Sequence, residues 1–124
     1  MTREHLTTDV LIVGGGPAGT AAAITLQRAG RSTIIVDKAT FPRDKCCGDG
    51  LTALALRELD DLGLEPGHVD DWFDVGGAAL RSPTGREVFV PLPDSGRYAA
   101  VAPRLQLDNA LIELRARDVF SIEH

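Results

Sequence analysis

An apolar run, Val10-Leu11-Ile12-Val13, leads straight into Gly14-Gly15-Gly16-Pro17-Ala18-Gly19, and Asp37 closes a second apolar run, Ile34-Ile35-Val36. Few folds accept this pattern. A buried strand, a glycine turn that opens a helix, a second strand and an acidic residue at its end make up a dinucleotide-binding βαβ unit. Each position has its own task. Gly14 permits the tight turn, Gly16 admits a pyrophosphate to the backbone, and Gly19 lets the helix lie close on the strand. Pro17 suits the first helical turn, where its missing N–H is not needed. The N–H groups of Ala18 and its neighbours, at the positive end of the helix dipole, suit the phosphates. Asp37 suits the adenosine ribose hydroxyls. The pattern predicts a strand over 8–13, a helix over 17–29 stopped by Gly30, and a strand over 33–37.

Val10 to Gln27 carries no charge, but its glycines and proline break any spanning helix, which needs about 20 mostly apolar residues. Glu4 and Asp9 offset Arg3, so the start lacks the basic character of a secretory signal. The expected location is therefore the cytoplasm, without a transmembrane segment. The chain has 124 residues, 44% of them hydrophobic and 25% charged, a composition that suits one globular domain. A formal net charge of -5 with no basic stripe argues against nucleic acid or an anionic membrane surface as the main partner. Cys46 and Cys47 are adjacent, which gives neither a disulfide framework nor a metal-ligand spacing, and no metal is expected. His5, His68 and His124 are scattered and receive no role.

Beyond Asp37 the order stays mixed. Residues 38–49 read as a loop, and Thr52 as the N-cap of a helix that carries Leu56, Leu59 and Leu62 on one side and ends at Gly63. Residues 64–75 read as irregular and acidic, with Trp72 and Phe73 packing on that helix. Ala78–Arg81 and Glu87–Val90 flank Ser82-Pro83-Thr84-Gly85 as a β-hairpin, to which Tyr98–Val101 adds a third strand. Leu107, Leu111 and Leu114 predict a helix over 104–117, and Val119–Ile122 a third parallel strand. The fold class is α/β, a Rossmann-like half-domain with parallel strands and an inserted helix plus β-hairpin. Residues 1–37 start the βαβ unit, 38–103 form the insertion, and 104–124 supply the second crossover helix and the start of the third strand. Half a doubly wound sheet leaves one side of strand 1 uncovered, so the chain reads as truncated.

From the residues alone, Arg43 and Lys45 read equally as a solvated loop, Asp49 as a cap for the following helix, and Cys47 as a small buried apolar residue. Three motifs, however, occur together in order: DVLIVGGGPAG at Asp9–Gly19, FPRDKCCGDGLT at Phe41–Thr52 and VAPRLQLDNAL at Val101–Leu111. The combination resembles the N-terminal part of the geranylgeranyl reductase family, flavoproteins that share their fold with aromatic hydroxylases and flavin-dependent halogenases. The second motif, PRxKxCGDGL, is the specific one.

The resemblance implies FAD as cofactor. By it, Gly14, Gly16, Gly19 and Asp37 are the FAD fingerprint, Lys38 borders the adenosine, and Arg104 reaches the FAD. Arg43, Cys47, Gly48, Asp49 and Gly50 belong to the loop that passes near the flavin ring; Cys46 is a small departure. The implied reaction is reduction of isoprenoid C=C bonds, with NAD(P)H or ferredoxin as reductant. The implied substrate is isoprenoid-bearing or otherwise hydrophobic, and peripheral membrane contact suits the full-length form. Family members continue with a DG motif, a GD motif and a substrate domain that these 124 residues do not contain. No catalytic acid or base is therefore assigned, and the chain alone is expected to be inactive. Two other readings stand beside this one: an aromatic hydroxylase or halogenase of the same fold, and a truncated nucleotide-binding module without turnover.

Overall fold

The computed structural model describes residues 5–115 and the backbone of residues 119–121. In chain order the elements are β1 (Val10–Val13), α1 (Pro17–Arg28), β2 (Thr33–Asp37), β3 (Gly50–Thr52), α2 (Ala53–Leu62), a single 3-10 turn (Pro66–His68), β4 (Phe73–Asp74), β5 (Gly77–Arg81), β6 (Glu87–Pro91), β7 (Ala99–Val101), α3 (Arg104–Arg115) and β8 (Val119–Ser121).

The first sheet runs β1-β2-β8, all parallel, with Ile12 opposite Ile35 and Ile35 opposite Val119. The expected third parallel strand thus lies on the far side of β2; Ile122 and the last two residues of the expected helix, 116 and 117, lie outside the described residues. Among the described residues β1 pairs only with β2, and Leu11 and Val13, which share one face of it, are exposed. In β2 the alternation of a half-covered strand puts Thr33, Ile35 and Asp37 inward. The helix α1 packs against β1 through Gly19, where an added Cβ would lie 2.0 Å from the carbonyl oxygen of Gly14.

Residues 38–103 form the insertion between β2 and α3. Its small sheet has β7 at the centre, antiparallel to β3 on one side and to β4 on the other. Here the structure corrects the sequence reading. Tyr98–Val101 was expected beside the hairpin, but the hairpin β5–β6 ends at Pro91 and Pro93 follows, and prolines donate nothing to a further ladder. The strand joins β3 and β4 instead. Phe73 also departs from expectation. It is 67% exposed, whereas Trp72 packs on the core, because neighbouring residues of an extended strand face opposite ways.

The core cluster of Leu59, Leu64, Val69, Ala102, Leu107, Ala110 and Leu111 joins α2, α3 and the segment between them. Thr52 caps α2 as its sequence context suggests, accepting from the Ala55 amide at 3.3 Å, and Gly63 ends it with φ 90°. Arg28, at the end of α1, donates to the carbonyls of Asp61 at 2.6 Å and Leu62 at 3.0 Å, so one helix closes the open C-terminus of another. On α3, Leu107 and Leu111 are buried as expected, but Leu114 is exposed and Arg115 turns inward to donate to the Thr33 carbonyl at 2.6 Å.

The contact at Gly19 gives a direct test. Gly19→Ala is expected to destabilise the chain by about 1–3 kcal/mol, the usual cost of forcing a methyl group into a packed backbone contact. Gly67→Ala, where an added Cβ meets nothing within 4 Å, should stay within about 0.5 kcal/mol. Urea denaturation midpoints of the two variants check this.

Candidate cofactor-binding site

The turn after β1 is tied to the end of β2. Gly14, at φ 106°, donates its amide to the Val36 carbonyl at 2.7 Å, and the Gly15 amide donates to Asp37 Oδ2 at 2.7 Å. The other oxygen of Asp37 accepts from the Ala39 amide at 2.8 Å. Burial by itself would raise the Asp37 pKa. The Gly15 and Ala39 amides, helped by the charges of Arg43 and Lys38, outweigh it and hold the carboxyl below the ordinary value.

Gly16 occupies the N-cap of α1 in extended backbone, with no side chain closing the helix end. Pro17 follows at the start of the helix, so the outward amides of the first turn are those of Ala18 and Gly19. Gly15 is buried, and the ring of Phe41 lies where a Cβ at Gly15 would meet it at 3.0 Å. The peptide between Phe41 and Pro42 is cis, and the Arg43 guanidinium sits 4.8 Å from the Phe41 ring centre.

Two guanidiniums face Gly16. Nη2 of Arg43 and Nη2 of Arg104 each lie 3.7 Å from the position of a Gly16 Cβ. Both arginines are held by Asp108, which has no solvent exposure. Arg43 Nη1 donates to Asp108 Oδ2 at 2.6 Å, Arg104 Nε to Oδ1 at 2.7 Å and Arg104 Nη2 to Oδ2 at 2.9 Å. The Asp108 hydrogen bonds raise the Arg104 pKa further above its already high value.

The loop before β3 completes the arrangement. Asp49 stands in the left-handed region at φ 55°, which Asp tolerates better than most residues, and its carbonyl accepts from the Ala102 amide at 3.0 Å. Its carboxylate accepts from the Arg104 amide at 3.3 Å, so it caps α3 and not the helix that follows it in sequence. Cys46 and Cys47 are both exposed, which corrects the reading of Cys47 as buried. Hydrogen bonding from the Asp49 amide, then from Arg104, holds the Cys47 thiol below its ordinary pKa. Pro17, Cys47, Gly50, Leu51, Ala102 and Arg104 border a largely apolar cavity of about 300 Å³.

The structure brings Gly14, Gly16, Pro17, Ala18, Gly19, Asp37, Arg43 and Arg104 to one end of the parallel sheet and sets Cys47, Asp49 and Gly50 beside them. Lys38 and Gly48 are exposed on its margin. Sequence reading missed Gly15, Phe41 and Asp108. Only Asp108 left a signal, its position one helical turn after Arg104 on an expected helix. Among the described residues no cluster of metal-ligating side chains occurs, and no helix is long and apolar enough to cross a membrane.

A sequence profile described as FAD binding domain matches residues 7–124. Menaquinone reductase of Mycobacterium tuberculosis is 47% identical over 106 residues, which cover 83% of this chain and 25% of that protein. Geranylgeranyl diphosphate reductase of Rhodobacter capsulatus is 34% identical over 105 residues, covering 85% and 25%. The crystal structure of a geranylgeranyl bacteriochlorophyll reductase-like protein from Thermoplasma acidophilum superposes with a TM-score of 0.74 at 26% identity, over 92% of this chain and 30% of that one. The chain thus spans about a quarter of the length of the curated relatives it matches.

Asp37 makes the turn pH-sensitive. Its folded pKa lies below the ordinary 3.8, so its contribution to stability is fully present above that value and is lost as pH falls through the folded pKa. Urea midpoints from pH 7 down to pH 3 should therefore show Asp37→Asn less stable than the parent at pH 7, with the gap closing towards pH 3. A gap that does not change over this range would show that the carboxylate charge does not brace the turn.

Proposed function

This chain belongs to the FAD binding domain family, and from that premise we propose that it holds FAD for an oxidoreductase that reduces C=C bonds in isoprenoid chains. The observation that carries the FAD placement is the open N-terminus of α1 at Gly16, faced by two guanidiniums at 3.7 Å. A diphosphate seated there would meet outward amides, a favourable helix dipole and two charged forks. The donor set fits an anionic, elongated cofactor. A Cβ at Gly16 would fill the cradle without disturbing the backbone around it.

The adenosine then lies towards Asp37 and Lys38. Both Asp37 oxygens keep acceptor capacity for ribose hydroxyls beyond the amide each already accepts. Towards the other end, Cys47, Gly48, Asp49 and Gly50 would lie along the flavin, with Asp49 holding that loop to α3. Bound FAD supplies the hydride chemistry, and the protein supplies binding, orientation and shelter from water. The 47% identity to a menaquinone reductase supports a substrate with a hydrophobic, isoprenoid-bearing chain. NAD(P)H or ferredoxin would supply the electrons. Peripheral membrane contact suits such a substrate.

Calorimetric titration with FAD tests the cofactor placement. Gly16→Val should leave the circular dichroism spectrum nearly unchanged, since a Cβ there meets only side-chain ends, at 3.7 Å, and no backbone. FAD affinity should fall at least about tenfold, because the branched side chain takes the space of the pyrophosphate. Unchanged FAD affinity would overturn the placement. For the reaction, the gene product that carries this chain should convert a prenylated quinone or a geranylgeranyl substrate, with reduced FAD, to a product two hydrogens heavier by mass spectrometry. Oxygen uptake stimulated by an aromatic substrate would point to hydroxylase or halogenase chemistry instead, and FAD binding without turnover to a non-catalytic module.

A further inference from the structure

Asp108 is a buried carboxylate that the reading above does not use. It lies one turn after Arg104 on α3, has no solvent exposure, and receives three hydrogen bonds from two guanidiniums that approach from different parts of the chain. Arg43 comes from the insertion loop and Arg104 from the helix start. Each guanidinium has five N–H donors; Asp108 engages two of Arg104 and one of Arg43, and Cys47 takes a further one of Arg104, so both forks still keep donors for a ligand. The remaining donors converge: Nη2 of Arg43 and Nη2 of Arg104, which gives one of its two N–H groups to Asp108, both lie at 3.7 Å from the same point over Gly16.

From this geometry we infer that Asp108 is a positioning residue, which aims Arg43 and Arg104 as a two-armed clamp on the diphosphate of a nucleotide seated at the N-terminus of α1. The inference rests on the FAD placement proposed above. A long arginine side chain loses rotamer freedom when it grips a ligand, and a partner that fixes it beforehand removes that loss from the binding step. The buried carboxylate also lowers the local positive charge. Charge alone and positioning therefore predict opposite effects when Asp108 is neutralised.

The test uses ADP and adenosine as probes, titrated by calorimetry into the full chain. The ratio of their affinities isolates the phosphate contribution. Asp108→Asn adds one unit of net positive charge at the site, yet it should reduce that ratio by roughly ten- to a hundredfold while leaving adenosine affinity unchanged. In an Arg43→Met, Arg104→Met background the same substitution should add no further loss, because Asp108 acts only through those two side chains. A tighter ADP complex, an unchanged ratio, or an equal additional loss in the double-arginine background would overturn the inference. If Asp108→Asn does not fold, Arg104→Lys keeps the charge and removes the two-toothed pairing; the ratio should fall in the same way, and an unchanged ratio would overturn the inference. If the parent shows no phosphate contribution at all, the FAD placement itself fails, and the clamp fails with it.

Discussion

A carboxylate without solvent exposure would cost several kcal/mol to bury alone, and at Asp108 the compensation comes from two cations that no local segment could supply together. Arg104 reaches it from the preceding turn of α3, while Arg43 reaches it from a loop 65 residues earlier. That loop must therefore fold back over the glycine turn. With Arg43 fixed, the Phe41 ring lies against Gly15, and Gly15 in turn donates to Asp37. The mouth of the parallel sheet is thus set by one chain of contacts that runs from α3 through the insertion to the end of β2. Removing either arginine leaves part of a buried charge uncompensated.

Much of this was legible in the sequence, for reasons that differ from element to element. The βαβ start could be read because steric demands at Gly14 and Gly19 and the apolar runs around them leave few alternatives, and α2 because Thr52 and Gly63 mark both ends of a leucine stripe. Short strands were harder. Nothing local says that Gly50–Thr52 extends before α2 begins, or that residues 99–101 pair with it across almost fifty positions; those choices follow from backbone hydrogen bonds that only the assembled core brings together. For the loop over 43–50, family likeness gave an expected role, but its wiring could not be read. Asp49 looked like a cap for α2 but serves α3, and the chemistry of a carboxylate gives no hint of which helix it will meet.

The hairpin β5–β6 stands apart from the shared core. Leu80, Val88, Phe89 and Val90 are exposed, and its ion pair of Arg81 with Glu87 is solvated on both sides, where such pairs contribute little. Its packing is internal: the Phe89 ring lies over Gly77, where an added Cβ would meet it at 2.3 Å. A glycine on one strand under an aromatic ring on the other shields backbone that would otherwise face water. That exchange explains why this strand begins with the smallest residue, and why its neighbour keeps a large ring although most of the ring's other surroundings are solvent.

The insertion also sets a schedule for the chain as it is made. At about 5–20 residues per second, Asp108 leaves the peptidyl-transferase centre roughly 3–13 s after Arg43, and the donation from Arg115 to Thr33 spans 82 residues. The glycine turn can meet Asp37 early, since the two are 22 residues apart. Its cationic wall comes late. During synthesis both partners of the glycine turn therefore exist before Asp108, and closure of the arginine wall waits on α3.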